Sequence, residues 1–244
     1  MYTLSTLIQG FPGRSPGQGN LGWSSVTLLA RGRERYVVDT GSFGARPVLL
    51  ERLRALGVEP TDVTGVLLTH AHWDHMVNWT LFPRAQVVIG RRELQWAAQS
   101  RSIHLPEAYV ERLCACTRLR LTEDGEEVFP GIVAHATFGH TPGHMAFEAA
   151  GAQGPILLIG DAAKNRVELL TCELSAPEDP DEAQRSVAAL WRLWRQVGGG
   201  LLVPGHDAAL RLVDGRPALA QDRRQEIQAW LGDTVAQVRR FPLS

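Results

Sequence analysis

The sequence of 244 residues is poor in cysteine, in lysine and in unbalanced charge, and each shortage excludes a class of protein. The 3 cysteines, Cys114, Cys116 and Cys172, form neither an even set nor a C-x-x-C pair, so we expect free thiols in a reducing cytoplasm. A net charge of −1 provides no general field that would attract nucleic acid or an anionic membrane. No apolar run reaches the ~18 residues that span a bilayer, and MYTLSTLIQG lacks the basic start of a signal peptide. We therefore expect a cytoplasmic protein that is neither secreted nor inserted in a membrane.

Lysine is the scarcest charged residue. The 25 Lys and Arg residues include one lysine, Lys164, so arginine stands at every other basic position. A lysine ammonium is a compact charge on a flexible stem and differs from the planar fork of arginine. Two interpretations of Lys164 stay open, a solvated loop cation and a contact with a substrate carboxylate or oxyanion.

Apolar patterning predicts strands in both halves of the chain and helices at the end of each half. The predicted strands are Thr3–Gln9, Ser24–Ala30, Arg35–Asp39, Val63–Thr69, Ala85–Ile89, Leu119–Thr122, Ile132–Thr137, Met145–Ala149, Ile156–Ile159 and Leu201–Val203. The predicted helices are Pro47–Leu56, a stretch that ends at Ala98, Glu107–Cys116, Asp181–Val197 and Gln221–Arg239. This order favours an αββα sandwich of the α/β (α+β) class, in which two mixed β-sheets pack face to face with helices outside. No linker divides the chain, so we expect a single domain over residues 1–244.

The last predicted helix has an apolar stripe, which is formed by Ile227, Trp230, Leu231, Val235 and Val238. We expect this stripe to face the core or a second copy of the chain, which leaves a homodimer open. The Gly/Pro-rich segment Phe11–Gly22 reads as a mobile surface loop.

Histidine is concentrated where an apolar strand ends. The segment VLLTHAHWDHMVNW contains His70, His72 and His75 together with Asp74, although the whole chain has 8 histidines. Imidazole nitrogens and a carboxylate are ligands that Zn²⁺, Fe²⁺ or Mn²⁺ accept. Three further ligand-type residues follow apolar strands: His140 in TFGHTPGH, Asp161 in ILLIGD and His206 in LLVPGH. The pattern predicts a metal site at one end of the strands.

These motifs resemble those of the metallo-β-lactamase superfamily. THAHWDH matches its H-x-H-x-D-H signature, and YVVDTG, GHTPGH, IGDA and VPGH are similar to its remaining motifs in the same order. The match covers nearly the whole chain and implies an αββα fold with a two-metal site at one edge.

The resemblance implies seven metal ligands in two overlapping groups. The first ion would be bound by His70, His72 and His140, the second by Asp74, His75 and His206, and both by Asp161. The cofactor would be two divalent ions, with zinc the first choice and iron or manganese the alternatives. A hydroxide held between them would attack the substrate carbonyl, and Asp74 would also handle the proton of the leaving group.

Other residues receive supporting roles from the same resemblance. Asp39 in YVVDTG would brace the metal loop by hydrogen bonding, and His144 would orient ligands without binding metal. Related lactonases place a tyrosine at the position of Lys164, so Lys164 is a candidate catalytic residue in its place. His104 and His135 lie outside every motif, and we expect them to be ordinary histidines.

Departures from subgroup patterns narrow the activity. His72 stands where di-iron oxygen reductases have glutamate, and Asp161 stands where the best-known β-lactamases have cysteine. The sequence has no basic arm or cap typical of the family's nucleases, and ~38 residues after VPGH are too few for the helical domain of glyoxalase II. We therefore predict a metal-dependent hydrolase of a small acyl substrate such as a lactone, thioester or related ester.

Two alternatives stay open. The segments WTLFP, LSAPEDP and VPGH resemble the subgroup of metallo-β-lactamase domain-containing protein 1, which is linked to RNA processing, so a nuclease is the second candidate. A mono-iron persulfide dioxygenase is the third, and it would leave Asp74, His75 and His206 without a ligand role. Nucleic acid is the less favoured partner because the arginines are scattered. We expect the two doublets, Arg223–Arg224 and Arg239–Arg240, on the last helix, away from the motifs.

Overall fold

The computed structural model describes residues 1–243. Its strands are β1 (Thr3–Ile8), β2 (Arg14–Ser15), β3 (Gly19–Asn20), β4 (Val26–Arg31), β5 (Glu34–Val38), β6 (Gly65–Leu67), β7 (Gln86–Gly90), β8 (Leu119–Thr122), β9 (Glu127–Phe129), β10 (Ile132–Ala136), β11 (Met145–Ala149), β12 (Ile156–Gly160), β13 (Leu201–Pro204), β14 (Leu210–Val213), β15 (Arg216–Leu219), β16 (Glu226–Trp230) and β17 (Val238–Pro242). Its helices are α1 (Arg46–Ala55), α2 (Trp73–Met76), α3 (Arg91–Ala97), α4 (Glu107–Cys114), α5 (Arg166–Thr171) and α6 (Pro180–Gln196), and 3-10 turns lie at Phe43–Ala45, Pro60–Asp62 and Val77–Leu81.

Two mixed sheets form the body of the protein. The first has the strand order β1-β4-β5-β6-β7-β8, with antiparallel pairs from β1 to β5 and parallel pairs from β5 to β8. The second has the order β15-β14-β13-β12-β11-β10-β9, in which only β12 and β13 are parallel. Two small hairpins, β2–β3 and β16–β17, lie outside these sheets.

Side chains alternate between two apolar layers along the strands, as the period of a strand requires. In β5, Tyr36 and Val38 face the second sheet, while Val37 faces the helices outside the first sheet. A third layer joins the outer face of the second sheet to α5 and α6, with Trp194 fully buried in it. Helix, sheet, sheet and helix therefore stack in that order, which confirms the predicted αββα sandwich.

The helix predicted over Asp181–Val197 is present as α6. Asp179 caps its first turn by accepting a hydrogen bond from the backbone N–H of Glu182, and Pro180 occupies the first helical position, where no N–H donor is needed. Val187, Leu190 and Trp194 are buried along one face, so the tryptophan belongs to the core.

The helix predicted over Gln221–Arg239 is wrong. This segment contains β16 and continues toward β17, which pair from Glu226↔Pro242 to Trp230↔Val238. Gly232 and Asp233 lie in the connection, where turn-forming residues compete with a helix. Trp230 and Val235 are exposed, so the apolar stripe faces neither the core nor a helix partner, and the argument for a homodimer from this helix no longer holds.

Other elements were not predicted from the sequence: β9, α5 and the hairpin β14–β15. Asp214 and Gly215 turn this hairpin with φ angles of 50° and 74°. Two positive φ values are typical of a type I′ turn, which Asp-Gly favours. The segment predicted as a mobile loop, Phe11–Gly22, contains the hairpin β2–β3, and Phe11 stacks on Trp23 with ring centroids 5.0 Å apart. Among residues 1–243, no helix has the length and apolar character needed to cross a membrane.

Trp194 and Trp230 provide a matched test of the fold. Trp194→Ala is expected to lower the free energy of unfolding by about 3–5 kcal/mol, because it removes a fully buried aromatic side chain from the layer under α6. Trp230→Ala should change it by about 0.5 kcal/mol or less, because 61% of that residue is exposed. Urea unfolding followed by circular dichroism measures both. An equal loss for the two variants would mean that the C-terminal segment packs as a buried helix after all.

Candidate metal centre

Strand direction brings the candidate ligands to one edge of the sandwich. In the first sheet, β5 and β6 are parallel, so Asp39 and the loop that starts at Thr69 leave from the same edge. In the second sheet, β10, β12 and β13 run in one direction because β11 is antiparallel to both β10 and β12. His140, Asp161 and His206 follow the ends of these three strands.

The first group consists of His70, His72 and His140, all buried. The Nε2 atom of His140 lies 3.1 Å from the Nδ1 atom of His72. One ring nitrogen from each of the three side chains lies within 4.8 Å of the others. Thr69 donates its hydroxyl hydrogen to Asp39 and lies 3.0 Å from Nδ1 of His70, so it can accept a hydrogen bond from that nitrogen. This arrangement leaves Nε2 of His70 to face the group.

The second group consists of Asp74, His75 and His206, also buried. The Nε2 atoms of His75 and His206 are 3.3 Å apart. An oxygen of Asp74 lies 3.4 Å from Nε2 of His206 and 3.7 Å from Nε2 of His75. The side chains come from α2 and from the loop after β13, so the two sheets supply the group jointly.

Asp161 lies between the two groups. Its Oδ1 atom is 3.3 Å from Nε2 of His75 and 3.3 Å from Nε2 of His206. Its Oδ2 atom is 3.4 Å from Nε2 of His140. Gly205 packs directly on this carboxylate, because a Cβ atom at residue 205 would lie 1.9 Å from Oδ1 of Asp161. A carboxylate in this position can contribute one oxygen to each group.

The donor set fits metal ions. Ligand atoms at about 2.0–2.1 Å from one tetrahedral ion are roughly 3.3–3.4 Å apart, which is close to the separations in both groups. No described residue forms a hydrogen bond with Nε2 of His70 or Oδ1 of Asp161, although both atoms are buried. Buried polar atoms without a partner cost free energy, and a cation between them removes that cost. These histidine and aspartate clusters are therefore capable of binding metal ions.

The charge states of the side chains also suit metal binding. Burial lowers the pKa of His70 and His140 well below the usual value, and it lowers the pKa of His72 to about 3, so these rings are neutral. Burial opposes ionisation of Asp161, but the neighbouring His206, His75 and His140 outweigh it and hold its pKa well below the usual value. Neutral imidazoles and an ionised carboxylate are the forms that bind metals.

His75 differs from the other rings. Burial lowers its pKa, but the carboxylates of Asp161, Asp74 and Asp39 raise it by more, so the pKa lies well above the usual value. The carboxylates around this ring thus require a positive charge, which either a proton or a metal ion at Nε2 supplies.

Asp39 lies where it can brace the histidine loop. Its carboxylate accepts hydrogen bonds from the backbone N–H of Thr69 at 2.9 Å and from the Thr69 hydroxyl. It lies 2.8 Å from Nδ1 of His75, so this nitrogen can donate to it while Nε2 faces Asp161. The φ angle of Asp39 is 51°, in a region that non-glycine residues adopt at a cost and that aspartate tolerates better than most.

His144 uses both ring nitrogens on protein groups. Its Nδ1 atom lies 2.8 Å from the hydroxyl of Thr137, and its Nε2 atom accepts a hydrogen bond from the backbone N–H of Asp161 at 3.1 Å. Burial lowers its pKa to about 3, which keeps Nε2 able to accept. The ring therefore contacts the backbone of Asp161 and has no nitrogen left for a metal ion.

Lys164 lies in the wall of the cleft that leads to the centre, but its ammonium is engaged. Nζ donates to the backbone oxygen of Ser175 at 2.6 Å and lies 3.1 Å from the Ser175 hydroxyl. No carboxylate of the described residues forms an ion pair with it. The ammonium therefore lies beside the cleft with Ser175 as its hydrogen-bond partner.

The two histidines outside the motifs lie apart from each other. His104 lines the cleft, with its ring centroid 5.2 Å from that of His72. His135 lies 3.0 Å from Glu148 on the neighbouring strand, away from the centre.

Several polar contacts around the centre were missed from the sequence. Glu93 is fully buried, and its carboxylate bonds to both histidine loops. Glu168 bonds to the backbone N–H groups of Lys164 and Ser175. Arg223, which was expected on a helix away from the motifs, forms an ion pair at 3.0 Å with buried Asp207, the residue after His206. No periodicity marks Glu93 or Arg223, whereas the position of Asp207 directly after VPGH offered a signal.

An open cleft of about 810 Å³ leads to the centre. One wall is the hairpin segment 12–22, and the others include Trp73, Ile103 and residues 164–176. Its cations are Arg14 and Lys164, and its apolar side chains include Pro16, Trp73 and Ile103. The cleft can take a small molecule that carries both apolar and polar groups.

Comparison with known proteins agrees with this geometry. The profile described as "Metallo-beta-lactamase superfamily" matches residues 20–206. Metallo-beta-lactamase domain-containing protein 1 of Xenopus laevis is 27% identical over 216 residues, which are 87% of this chain and 82% of the relative. N-acyl homoserine lactonase of Bacillus thuringiensis is 29% identical over 139 residues, and the match spans 57% of this chain and about half, 54%, of the lactonase.

Solved structures share the fold. A structure from Thermotoga maritima that is described as a metallo-beta-lactamase superposes with a TM-score of 0.70 and 26% sequence identity. The superposition covers 86% of this chain and 99% of the Thermotoga maritima chain. An N-acyl homoserine lactone hydrolase with the product N-hexanoyl-L-homoserine bound at its catalytic metal centre superposes with a TM-score of 0.67 and 20% identity over 84% of this chain and 92% of its own. The profile match covers well over half of the sequence. The chain therefore belongs to the metallo-beta-lactamase superfamily, as a metal-dependent hydrolase.

Proposed function

We propose that this hydrolase opens a small carbonyl substrate, a lactone, thioester or related ester, at a centre of two divalent metal ions, with zinc the first choice. One ion would be held by His70, His72 and His140, the other by Asp74, His75 and His206, and Asp161 would bind both. The observation that carries the proposal is the position of Asp161, whose two oxygens face the two groups separately.

Bound divalent ions would supply two effects, a lowered pKa for coordinated water and polarisation of the substrate carbonyl oxygen. The residues of the chain would hold the ions and transfer the proton. Asp74 lines the cleft and lies beside His206, so it is placed to take up a proton and return it to the leaving group. His72 and His140 are buried at the base of the cleft with neutral rings, so each can offer a ring nitrogen to a metal ion.

The shape and charge of the cleft support a carbonyl substrate over a phosphodiester. Nucleic acid binding uses a row of cations that displace counterions from the phosphates. The cleft offers Arg14 and Lys164 instead, and Arg223 is committed to Asp207. The likeness to an N-acyl homoserine lactone hydrolase points to the same class of reaction, although at 20% identity that likeness alone establishes only the fold.

The first test is metal content. Purified protein is expected to contain close to two metal ions per chain by elemental analysis, and His206→Ala should lose mainly one, because His206 belongs to one group only. His135→Ala is the matched control and should retain both, since His135 pairs with Glu148 outside the centre. A single iron per chain, unaffected by His206→Ala, would instead support the mono-iron dioxygenase.

The second test concerns Lys164. If its ammonium contacts a substrate oxyanion or carboxylate, Lys164→Arg should lower kcat/KM by ~10²-fold or more, because a planar guanidinium cannot occupy the same position. Metal content and Tm should stay at the wild-type values. A variant that loses thermal stability but keeps kcat/KM would show that Lys164 serves only to bind Ser175.

The third test is the reaction itself. A panel of lactones, thioesters, single-stranded RNA and single-stranded DNA should give turnover of a lactone or thioester that stops with a chelator and returns with Zn²⁺. Asp161→Asn protein, purified in the same way, reports any contaminating hydrolase. Metal-dependent cleavage of RNA or DNA without turnover of any carbonyl substrate would establish the nuclease instead.

A further inference from the structure

Glu93 is a buried carboxyl group in the first turn of α3, outside every motif that supplies a candidate ligand. Its neighbours Leu94 and Ala97 belong to the apolar layer between α3 and the first sheet. A carboxylate in such a place costs free energy unless hydrogen bonds compensate it. An apolar residue would therefore serve packing better, and the reason for Glu93 must lie in its partners.

All three hydrogen-bond donors to Glu93 come from the two loops that carry the first group of histidines. Oε1 accepts from the backbone N–H of Ala71 at 2.8 Å, between His70 and His72. Oε2 accepts from the hydroxyl of Thr141 at 2.7 Å and from the backbone N–H of Gly143 at 3.1 Å, just after His140. One carboxylate thus connects two loops that are 70 residues apart in the sequence, as the separation of Ala71 and Thr141 shows.

The backbone is shaped to permit these bonds. A Cβ atom at residue 143 would lie 1.9 Å from the backbone nitrogen of Glu93, so only glycine lets the His140 loop approach the start of α3 so closely. The backbone oxygen of Gly143 in turn lies 2.7 Å from where a Cβ atom of residue 90 would stand. Helix α3 and the His140 loop are therefore in direct backbone contact around the carboxylate.

We propose that Glu93 is a positioning residue that sets the distance between His72 and His140 and thereby the metal affinity of the first group. The proposal rests on the proposed function, because it takes these histidines as ligands. The 3.1 Å separation of Nδ1 in His72 and Nε2 in His140 is the quantity that Glu93 controls. Polar partners that orient metal ligands in this way are typically worth 10–100-fold in metal affinity.

Glu93→Gln tests the role with almost no change in volume. The amide oxygen can still accept from Ala71, but the amide NH₂ then faces the N–H of Gly143, so one donor meets another. The affinity of apo protein for Zn²⁺ is measured by competition with a chromophoric chelator, and the geometry of the first group by the visible absorption spectrum of the Co²⁺ form. In the variant we expect the dissociation constant of one of the two Zn²⁺ ions to rise 10–100-fold, whichever of the two binds more tightly, while that of the other ion stays unchanged. The visible spectrum of the Co²⁺ form should also change.

Glu148→Gln is the control. Glu148 lies on β11, and its carboxylate is 3.0 Å from Nε2 of His135, so it contacts no loop that carries a candidate ligand. Its Zn²⁺ affinities and Co²⁺ spectrum should match the wild type. Glu93→Asp is the complementary variant, because its shorter side chain keeps the charge but cannot reach both loops, and it should lose affinity as Glu93→Gln does.

The outcomes separate this proposal from the proposed function. Wild-type protein that binds no Zn²⁺ or Co²⁺ through these histidines would refute the metal centre itself. Wild-type protein that binds both ions, with Glu93→Gln unchanged in affinity and spectrum, would refute only the role of Glu93. Should Glu93→Gln fail to fold, Thr141→Val removes one donor and leaves the carboxylate in place. That variant should weaken one Zn²⁺ ion and alter the Co²⁺ spectrum, and wild-type values for both would overturn the proposal.

Discussion

Asp161 lies at the end of β12 with its two carboxylate oxygens 3.3–3.4 Å from ring nitrogens of three different histidines. Such a buried negative charge is tolerable only where positive charge or proton donors surround it, so the position of Asp161 dictates where His75, His140 and His206 must lie. Because β12 and β13 are parallel neighbours, Asp161 and His206 leave the sheet together. The first sheet must then bring the H-x-H-x-D-H loop to the same edge, and the packing of the two sheets accomplishes this.

The candidate ligand side chains are held in turn by neighbouring polar groups. Asp39 bonds to Thr69 and lies beside His75, and His144 bonds to the backbone of Asp161. These contacts fix ring orientations and tautomers before any ion is present, so little reorganisation would accompany binding. Most of these partners are themselves buried, and each is satisfied by backbone groups or hydroxyls, which is how a network of this kind avoids the cost of burying charge.

The sequence predicted the fold and the convergence of the seven candidate ligands because both depend on local patterns: apolar strands and the motifs at their ends. The sequence did not predict features that depend on contacts between residues far apart in the chain. Glu93 reads as an ordinary helix residue, and its importance depends on loops that only the folded sheets bring together. The helix prediction for the C-terminal segment was wrong for a different reason. Its apolar spacing fits a helix, but Gly232 and Asp233 interrupt it with turn-forming residues. The dipeptide Asp214-Gly215 marks the β14–β15 turn in a similar way, through two positive φ angles.

The candidate metal ligands and the walls of the cleft come from different parts of the architecture. The candidate ligands follow strand ends, whose positions the two sheets determine, whereas much of the cleft wall lies outside the two sheets, in the hairpin segment 12–22, residues 103–104 and the segment 164–176 around α5. Segments outside the sheets tolerate change without loss of the sheets. Substitutions there can alter which molecule fits the cleft while the arrangement of the histidine and aspartate clusters persists, and proteins that share the metal motifs can differ in substrate for this reason. Lys164 lies at the junction of the two parts, since its backbone oxygen accepts from His206 and its ammonium lies in the cleft. A change at Lys164 can therefore alter both the wall of the cleft and the position of the His206 loop.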